Sequence, residues 1–580
     1  MQRWAKQAVL TILFSLFGAN MGFAITPPVI PGSAEPGVIS KTLTQQLPTA
    51  ASTVKPTGPI TQQKEVVGSL GPQAEKIKFK LTQIVLDGNH TYSEKELASL
   101  YKSKVNTSIS VAELMDIVQS ITNYYRNNGY ILSRAILPPQ HVANGVVHIR
   151  ILEGFIDEVK IIGKAKGAKA VIQRYIGKIT QSRPLQIRVL EYYLRLANSI
   201  PGVHVKSVLE PSKTTLAAST LNIVADTQTL SGYVSYDNYG SRFIGPNEVT
   251  LSATANSIFL SGDTTRLSYI TTSRPKQLKY RDISYTALIG SRGLAFTADA
   301  NQSNTRPGLN LAALKTNGLS NSYDGQFSYP LILSRESDLT LNGIFNYVDT
   351  GVTIFGQRLY LDHIRNINIG GVYNLADSYK GTNNLTGTIE KGVPWFGATT
   401  NPASRSTSRF GATSKYLKFN LQASRIQQFG ATRYSAMLLG KGQYSCQPLL
   451  ATAQFPFGGA QVGRGYDSAD IIGDLGAGGT LELRMDLMPG WRFLQYLQPY
   501  VFYDGGVIWN RKNIPGTKTK QSETSTGVGI RFVFTQHIVG NLILAQPLTK
   551  QDIAEETSTN GTLSRNGRAP RGWFSITVTT

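Results

Sequence analysis

One cysteine, Cys446, stands in 580 residues, which excludes an internal disulfide framework and a cysteine-rich metal site. Long apolar runs are also missing. Apart from the stretch Val9 to Ala19, nothing approaches the 18 uninterrupted apolar residues of a spanning helix, so the chain is not a helical membrane protein. Acidic residues are scarce: 36 Asp and Glu face 58 Lys and Arg, a formal charge of +22. No basic helix or aromatic-basic ribbon stands out, so this excess fits anionic lipid head groups or a polar client rather than nucleic acid. The phosphate-binding G-x-x-x-x-G-K-[ST], H-E-x-x-H and G-x-S-x-G patterns are all absent. The six histidines, His90, His141, His148, His204, His363 and His537, are scattered with no metal-ligand spacing. Neither an enzyme nor a cofactor is expected.

What is present begins with an export signal. Arg3 and Lys6 precede the apolar stretch, and small residues end at Gly22-Phe23-Ala24, which predicts a signal peptide over residues 1–24. Residues 25–76 are rich in Pro, Thr, Ser and Gln and read as a periplasmic arm or linker. Within them, Gly37 to Leu43 has the makings of a helix too short to persist without a host.

Two small α/β units follow, at 77–154 and 155–228. Ser93 with Glu96 and Ser110 with Glu113 each match a capping box, which satisfies backbone donors left open at a helix start. Val111, Leu114, Val118, Ile121 and Tyr125 recur at helical spacing, and Asn128-Gly129 supplies the stop. Tyr130 to Leu137 and Val146 to Leu152 then read as strands. The second unit repeats the order: a strand through Ile161-Ile162, helices near Ala168 to Ile179 and Leu185 to Asn198, and strands at Val203 to Leu209 and Leu216 to Ala225.

From 229 to 580 the texture is alternating strands separated by Gly, Asn, Asp, Ser and Pro clusters. Leu417, Phe419, Leu421 and Ala423 alternate with Lys418, Asn420, Gln422 and Ser424; Leu481, Leu483, Met485 and Leu487 alternate with Glu482, Arg484 and Asp486. A soluble sandwich alternates too, but the export signal, the long strand series and aromatics at strand ends favour a membrane barrel. Lipid offers no hydrogen-bond partner, so such a sheet must close on itself. Tyr500, Trp509, Trp491 and Trp573 are expected in an interfacial girdle. At roughly 22 residues per strand and connection the segment makes about sixteen strands, a width that requires a plug or gate.

Four features in order carry a family resemblance. They are Asp237-Asn238-Tyr239-Gly240-Ser241-Arg242 at the first barrel strand, the run Phe457 to Asp467 containing Gly463-Arg464-Gly465-Tyr466, the segment Phe502-Tyr503-Asp504-Gly505-Gly506, and the tandem α/β units. Together they resemble the TpsB transporters of two-partner secretion, the haemolysin secretion/activation proteins of the Omp85 superfamily. The resemblance implies a transmembrane antiparallel β-barrel preceded by two polypeptide-transport-associated (POTRA) domains in the periplasm. It implies a loop motif inside the barrel (Gly463, Arg464, Gly465, Tyr466) and a partner motif on the wall (Phe502, Asp504, Gly506). Gly463 stands where many members carry valine, and the closing strand Phe574 to Thr580 lacks a terminal aromatic.

The residues support the implied pairing on their own terms. Val501, Tyr503, Val507 and Trp509 share one strand face and Phe502, Asp504 and Gly506 the other, so Asp504 points into the lumen if the first face meets lipid. A lone carboxylate there wants a cation, and the planar fork of Arg464 suits it. Gly463 and Gly465 let the loop run close to the wall. Without the resemblance, Arg464 and Asp504 could equally be one more solvated pair.

The expected partners are a large secreted exoprotein captured unfolded and outer-membrane lipids including lipopolysaccharide, with no nucleic acid and with the monomer as the working unit. The expected competitor is an Omp85-type assembly factor that inserts barrels. A passive porin needs no docking units.

Overall fold

The computed structural model describes residues 30–47, 61–62, 72–511, 518–535, 537–549 and 569–580. The signal-peptide reading over 1–24 lies outside the described residues.

Both predicted capping boxes form. Ser93 and Ser110 accept from the backbone of Glu96 and Glu113, whose carboxylates reach back to the serine N–H groups. They start the helices Glu94–Ala98 and Val111–Asn127, and the second buries Leu114, Val118, Ile121 and Tyr125 against the sheet. That sheet places Val146–Leu152 between Gln83–Asp87 (parallel) and Arg134–Ile136 (antiparallel). The strand expected over Tyr130 to Leu137 is shorter because Tyr130 to Ser133 close a turn, with the Ser133 N–H donating to the Tyr130 carbonyl.

The second unit repeats the plan with helices Lys169–Ile176 and Ile187–Asn198 over strands Phe155–Ile162, Val203–Pro211 and Ala218–Thr227. Its core is largely aliphatic, built from residues such as Val171, Ile172, Leu190, Leu194, Leu221 and Ile223. Thr61–Gln62, from the arm, adds a short parallel strand to the Val203–Pro211 edge at Val208 and Leu209. This unit sits on the periplasmic turns of the next domain. The Tyr192 hydroxyl lies 3.0 Å from the Arg292 carbonyl, the Val171 N–H donates to Ser261 Oγ at 3.1 Å, and Arg195 pairs with Asp338 at 3.5 Å.

Sixteen antiparallel strands, from Leu230–Asp237 to Arg571–Thr579, close into a barrel. The last strand pairs with the first through Tyr233–Thr579 to Asp237–Ser575. Alternation decides which side chain faces where: Leu421 and Leu483 are 57% and 53% exposed on the outer wall, whereas Lys418 and Glu482 are buried in the lumen. Of the residues expected in a girdle, Trp491 and Trp509 are exposed, whereas the expectation is corrected for Tyr500 and Trp573, which are buried inside. Tyr500 shares strand parity with Phe502 and Asp504, and lies beneath the Arg531 guanidinium, 4.0 Å from ring to cation.

The linker expectation over 25–76 is corrected for residues 30–47, which lie inside the barrel. Pro36–Gln46 is a helix opened by a proline at its first turn, where the missing N–H costs nothing. Ile39, Leu43 and Leu47 pack on Ile244, Ile270, Leu278 and Tyr280. Ser40 Oγ donates to Asn301 at 2.9 Å, Thr44 and Tyr280 share a bond of 2.8 Å, and Tyr360 donates to Glu35. The barrel wall is the host that a short isolated helix lacks.

Candidate functional site: a loop pinned inside the barrel

The loop after the eleventh barrel strand, Tyr434–Ser445, folds back into the lumen as a small hairpin of Phe455–Phe457 and Ile471–Gly473. Gly458 and Gly459 turn the chain at φ +110° each and Gly463 at φ +84°, backbone states that favour glycine. A Cβ on Gly463 would stand 2.9 Å from both Gly458 Cα and the Phe457 ring, and the positive φ would strain valine there. Gly465 passes so close to the wall that a Cβ would lie 2.8 Å from that of Ser525.

This path delivers Arg464 to the thirteenth barrel strand, Tyr496–Trp509. Its Nε and Nη2 donate to the two oxygens of Asp504 at 3.0 and 2.7 Å, the bidentate geometry expected of the pair. The N–H groups of Gly463 and Arg464 donate to the same carboxylate at 3.1 and 2.8 Å. Beneath the guanidinium lies the Phe502 ring, 3.5 Å from Cζ to centroid. Gly506 completes the wall motif for a steric reason: Phe457 lies on it, and a Cβ there would come within 2.2 Å of the ring. The structure thus brings together Gly463, Arg464, Gly465, Phe502, Asp504 and Gly506. Tyr466 anchors the loop further on, its hydroxyl donating to the Thr524 carbonyl at 2.7 Å and accepting from the Thr549 N–H at 3.1 Å.

Asp504 is not the lone carboxylate expected. Glu482, on the neighbouring strand Leu475–Met485, takes Arg464 Nη1 at 2.6 Å and also pairs with Arg484 and Arg531 at 2.6 and 3.0 Å. Thr480 accepts from Arg464 Nη2 at 2.5 Å, and the Arg464 carbonyl accepts from Trp573 Nε1 at 2.6 Å. Arg464, Asp504 and Glu482 are each at most 2% exposed, so these charges interact where water screens them little. Alternation already marked Glu482 as opposite in face to Leu481 and Leu483; its partner, 18 residues away through a folded-back loop, left no local sign.

One turn beyond, Asp467 holds two more arginines. Arg242, just past the first barrel strand, donates to one oxygen, and Arg571, at the start of the last, pairs with the other at 2.6 Å. The loop therefore bridges the extracellular ends of the two strands that close the barrel. It also meets the luminal helix: a Cβ on Gly37 would fall 2.1 Å from Thr452 Oγ1.

A closed sixteen-strand barrel with an inward loop and α/β units at its entrance defines an outer-membrane transporter with periplasmic POTRA domains. The chain belongs to the haemolysin secretion/activation protein family ShlB/FhaC/HecB, whose pattern matches residues 218–532, and residues 79–154 match the ShlB-type POTRA domain. It is 25% identical to the heme/hemopexin transporter protein HuxB of Haemophilus influenzae over 91% of this chain and 94% of that one. It is 22% identical to the outer membrane transporter CdiB of Escherichia coli over 82% and 80%. The solved structure of CdiB from Escherichia coli superposes with a TM-score of 0.72 at 18% identity, covering 96% of this chain and all of that one, and shares the fold. The protein resides in the outer membrane as a two-partner secretion transporter of the Omp85 superfamily.

Proposed function

We propose that this transporter captures one partner exoprotein, unfolded, on its periplasmic units and passes it through the barrel lumen to the cell surface. The observation that carries this reading is the occupation of the lumen by two elements, the helix Pro36–Gln46 and the Arg464 loop, directly beyond a docked POTRA unit. A barrel that only inserted others needs no cleared channel. Strand addition is the physical means of capture, since sheet edges offer unpaired backbone groups to an extended client. The pairing of Thr61–Gln62 with Val208 and Leu209 supports it, because that edge takes an extended segment. Client folding outside would make return unfavourable, so no nucleotide site is required.

Comparison of the secreted and outer-membrane proteomes with and without the gene tests this function. Loss of one large exoprotein with other barrels unchanged is expected. A broad fall in many barrels would overturn it in favour of an assembly factor.

A further inference from the structure

The outer wall near the barrel seam carries polar side chains outside the pinned loop and the luminal helix. On the fourth barrel strand, Leu278–Ile289, Lys279, Arg281 and Ile283 face outward while Leu278, Tyr280 and Asp282 face in. Arg281 Nη1 donates to Gln302 at 3.0 Å and Gln302 to Asn321 at 2.9 Å, a polar ladder on a wall that should be apolar. Three further exposed cations, Arg274, Lys276 and Arg306, lie at the extracellular ends of these strands. Among the described residues none of the five pairs with a carboxylate. The nearest outward acid in register, Asp349 opposite Asn321, is taken by Arg365 and His363 at 2.8 and 2.6 Å. Charge on the lipid face of a barrel costs free energy at depth and little at the head-group level, so this cluster belongs where anionic head groups lie.

Below Arg281 the same face is hollow. Arg281 and Gln302 line a trough of about 840 Å³ together with Val234, Leu251, Leu267 and Ile283, each between 46% and 53% exposed, and its lining runs to Val578 and Thr579 of the last strand. The small residues Ala253 and Ala300 also line it. An apolar trough lined at one point by Arg281, with Lys279 on the same strand face, matches an amphiphile with acyl chains and anionic groups at one end.

We propose that this face binds a phosphorylated glycolipid of the lipopolysaccharide type from the outer leaflet, its acyl chains in the trough and its phosphates on Lys279, Arg281 and the loop cations. The site rests on the outer-membrane location and not on the secretion step, so either can fail alone. Juxtamembrane cations attract anionic lipid surfaces additively.

The test uses full-length protein purified in detergent and titrated, by native mass spectrometry and thermal unfolding, with bisphosphorylated lipid A, its dephosphorylated form and inorganic phosphate. Wild type should prefer the bisphosphorylated lipid about tenfold or more, and Lys279→Glu/Arg281→Glu should lose about tenfold in its binding. Inorganic phosphate should give no shift. Ala300→Trp, which leaves every charge in place and fills the trough, should weaken lipid binding as well and keeps the test usable if the double variant does not fold. Equal binding by wild type and Ala300→Trp, equal binding of the dephosphorylated lipid, or a matching response to inorganic phosphate would overturn the proposal.

Discussion

Asp504 receives Arg464 through both carboxylate oxygens while the backbone N–H groups of Gly463 and Arg464 close on the same carboxylate. Side chain and backbone of one loop thus converge on one wall residue. Removing one partner of a buried pair leaves the other uncompensated, typically at a cost of about 3–5 kcal/mol. Arg464→Ala and Asp504→Ala should each abolish most export of the partner at normal barrel abundance, and the double variant should be no worse than either single one. Immunoblots of supernatant and outer membrane measure this; additive losses would show that the two residues act separately.

Glu482 neutralises what Asp504 alone cannot, since Arg464, Arg484 and Arg531 all reach it. In Glu482→Gln, three guanidiniums share a neutral amide and mutual repulsion loosens the loop. The expected outcome is a lower unfolding temperature of the purified barrel and intermediate export, with the temperature partly restored in Glu482→Gln/Arg484→Gln. A variant as stable as wild type would assign Glu482 no part in holding the loop.

Gly506 is required by the ring above it, because its Cβ position lies 2.2 Å from Phe457. Gly506→Ala should dislodge the loop and impair export, and Phe457→Ala in the same chain should recover part of the loss by emptying that space. Failure of the second change to help would point to another cause.

Asp467 joins Arg242 and Arg571 across the extracellular end of the seam. Asp467→Asn should raise amide exchange at Tyr233 to Asp237 and Ser575 to Thr579, where the first and last strands pair, and leave the far wall unchanged. Uniformly raised exchange would show general destabilisation instead.

Much of this was legible because local chemistry wrote it. The capping boxes at Ser93 and Ser110 and the face alternation around Asp504 and Leu481 follow from residues within one turn or strand. Tyr500 and Trp573 were misread as a girdle by residue type, although parity already puts Tyr500 on the face of Asp504. The helix Pro36–Gln46 was visible only as a weak core from Gly37 to Leu43, since its stability comes from Ile270, Tyr280 and Asn301, far along the chain. Glu482, Arg571 and Trp573 joined the site through a fold-back that no short-range pattern encodes.

Passage through the lumen is tested most directly by a photo-crosslinker in place of Asn301, which holds Ser40 of the luminal helix at 2.9 Å. In resting membranes it should capture the chain's own residues 36–46. With an exoprotein stalled by a folded C-terminal domain it should capture the exoprotein instead. Crosslinks that stay on the helix while the stalled exoprotein is exposed outside would contradict the account.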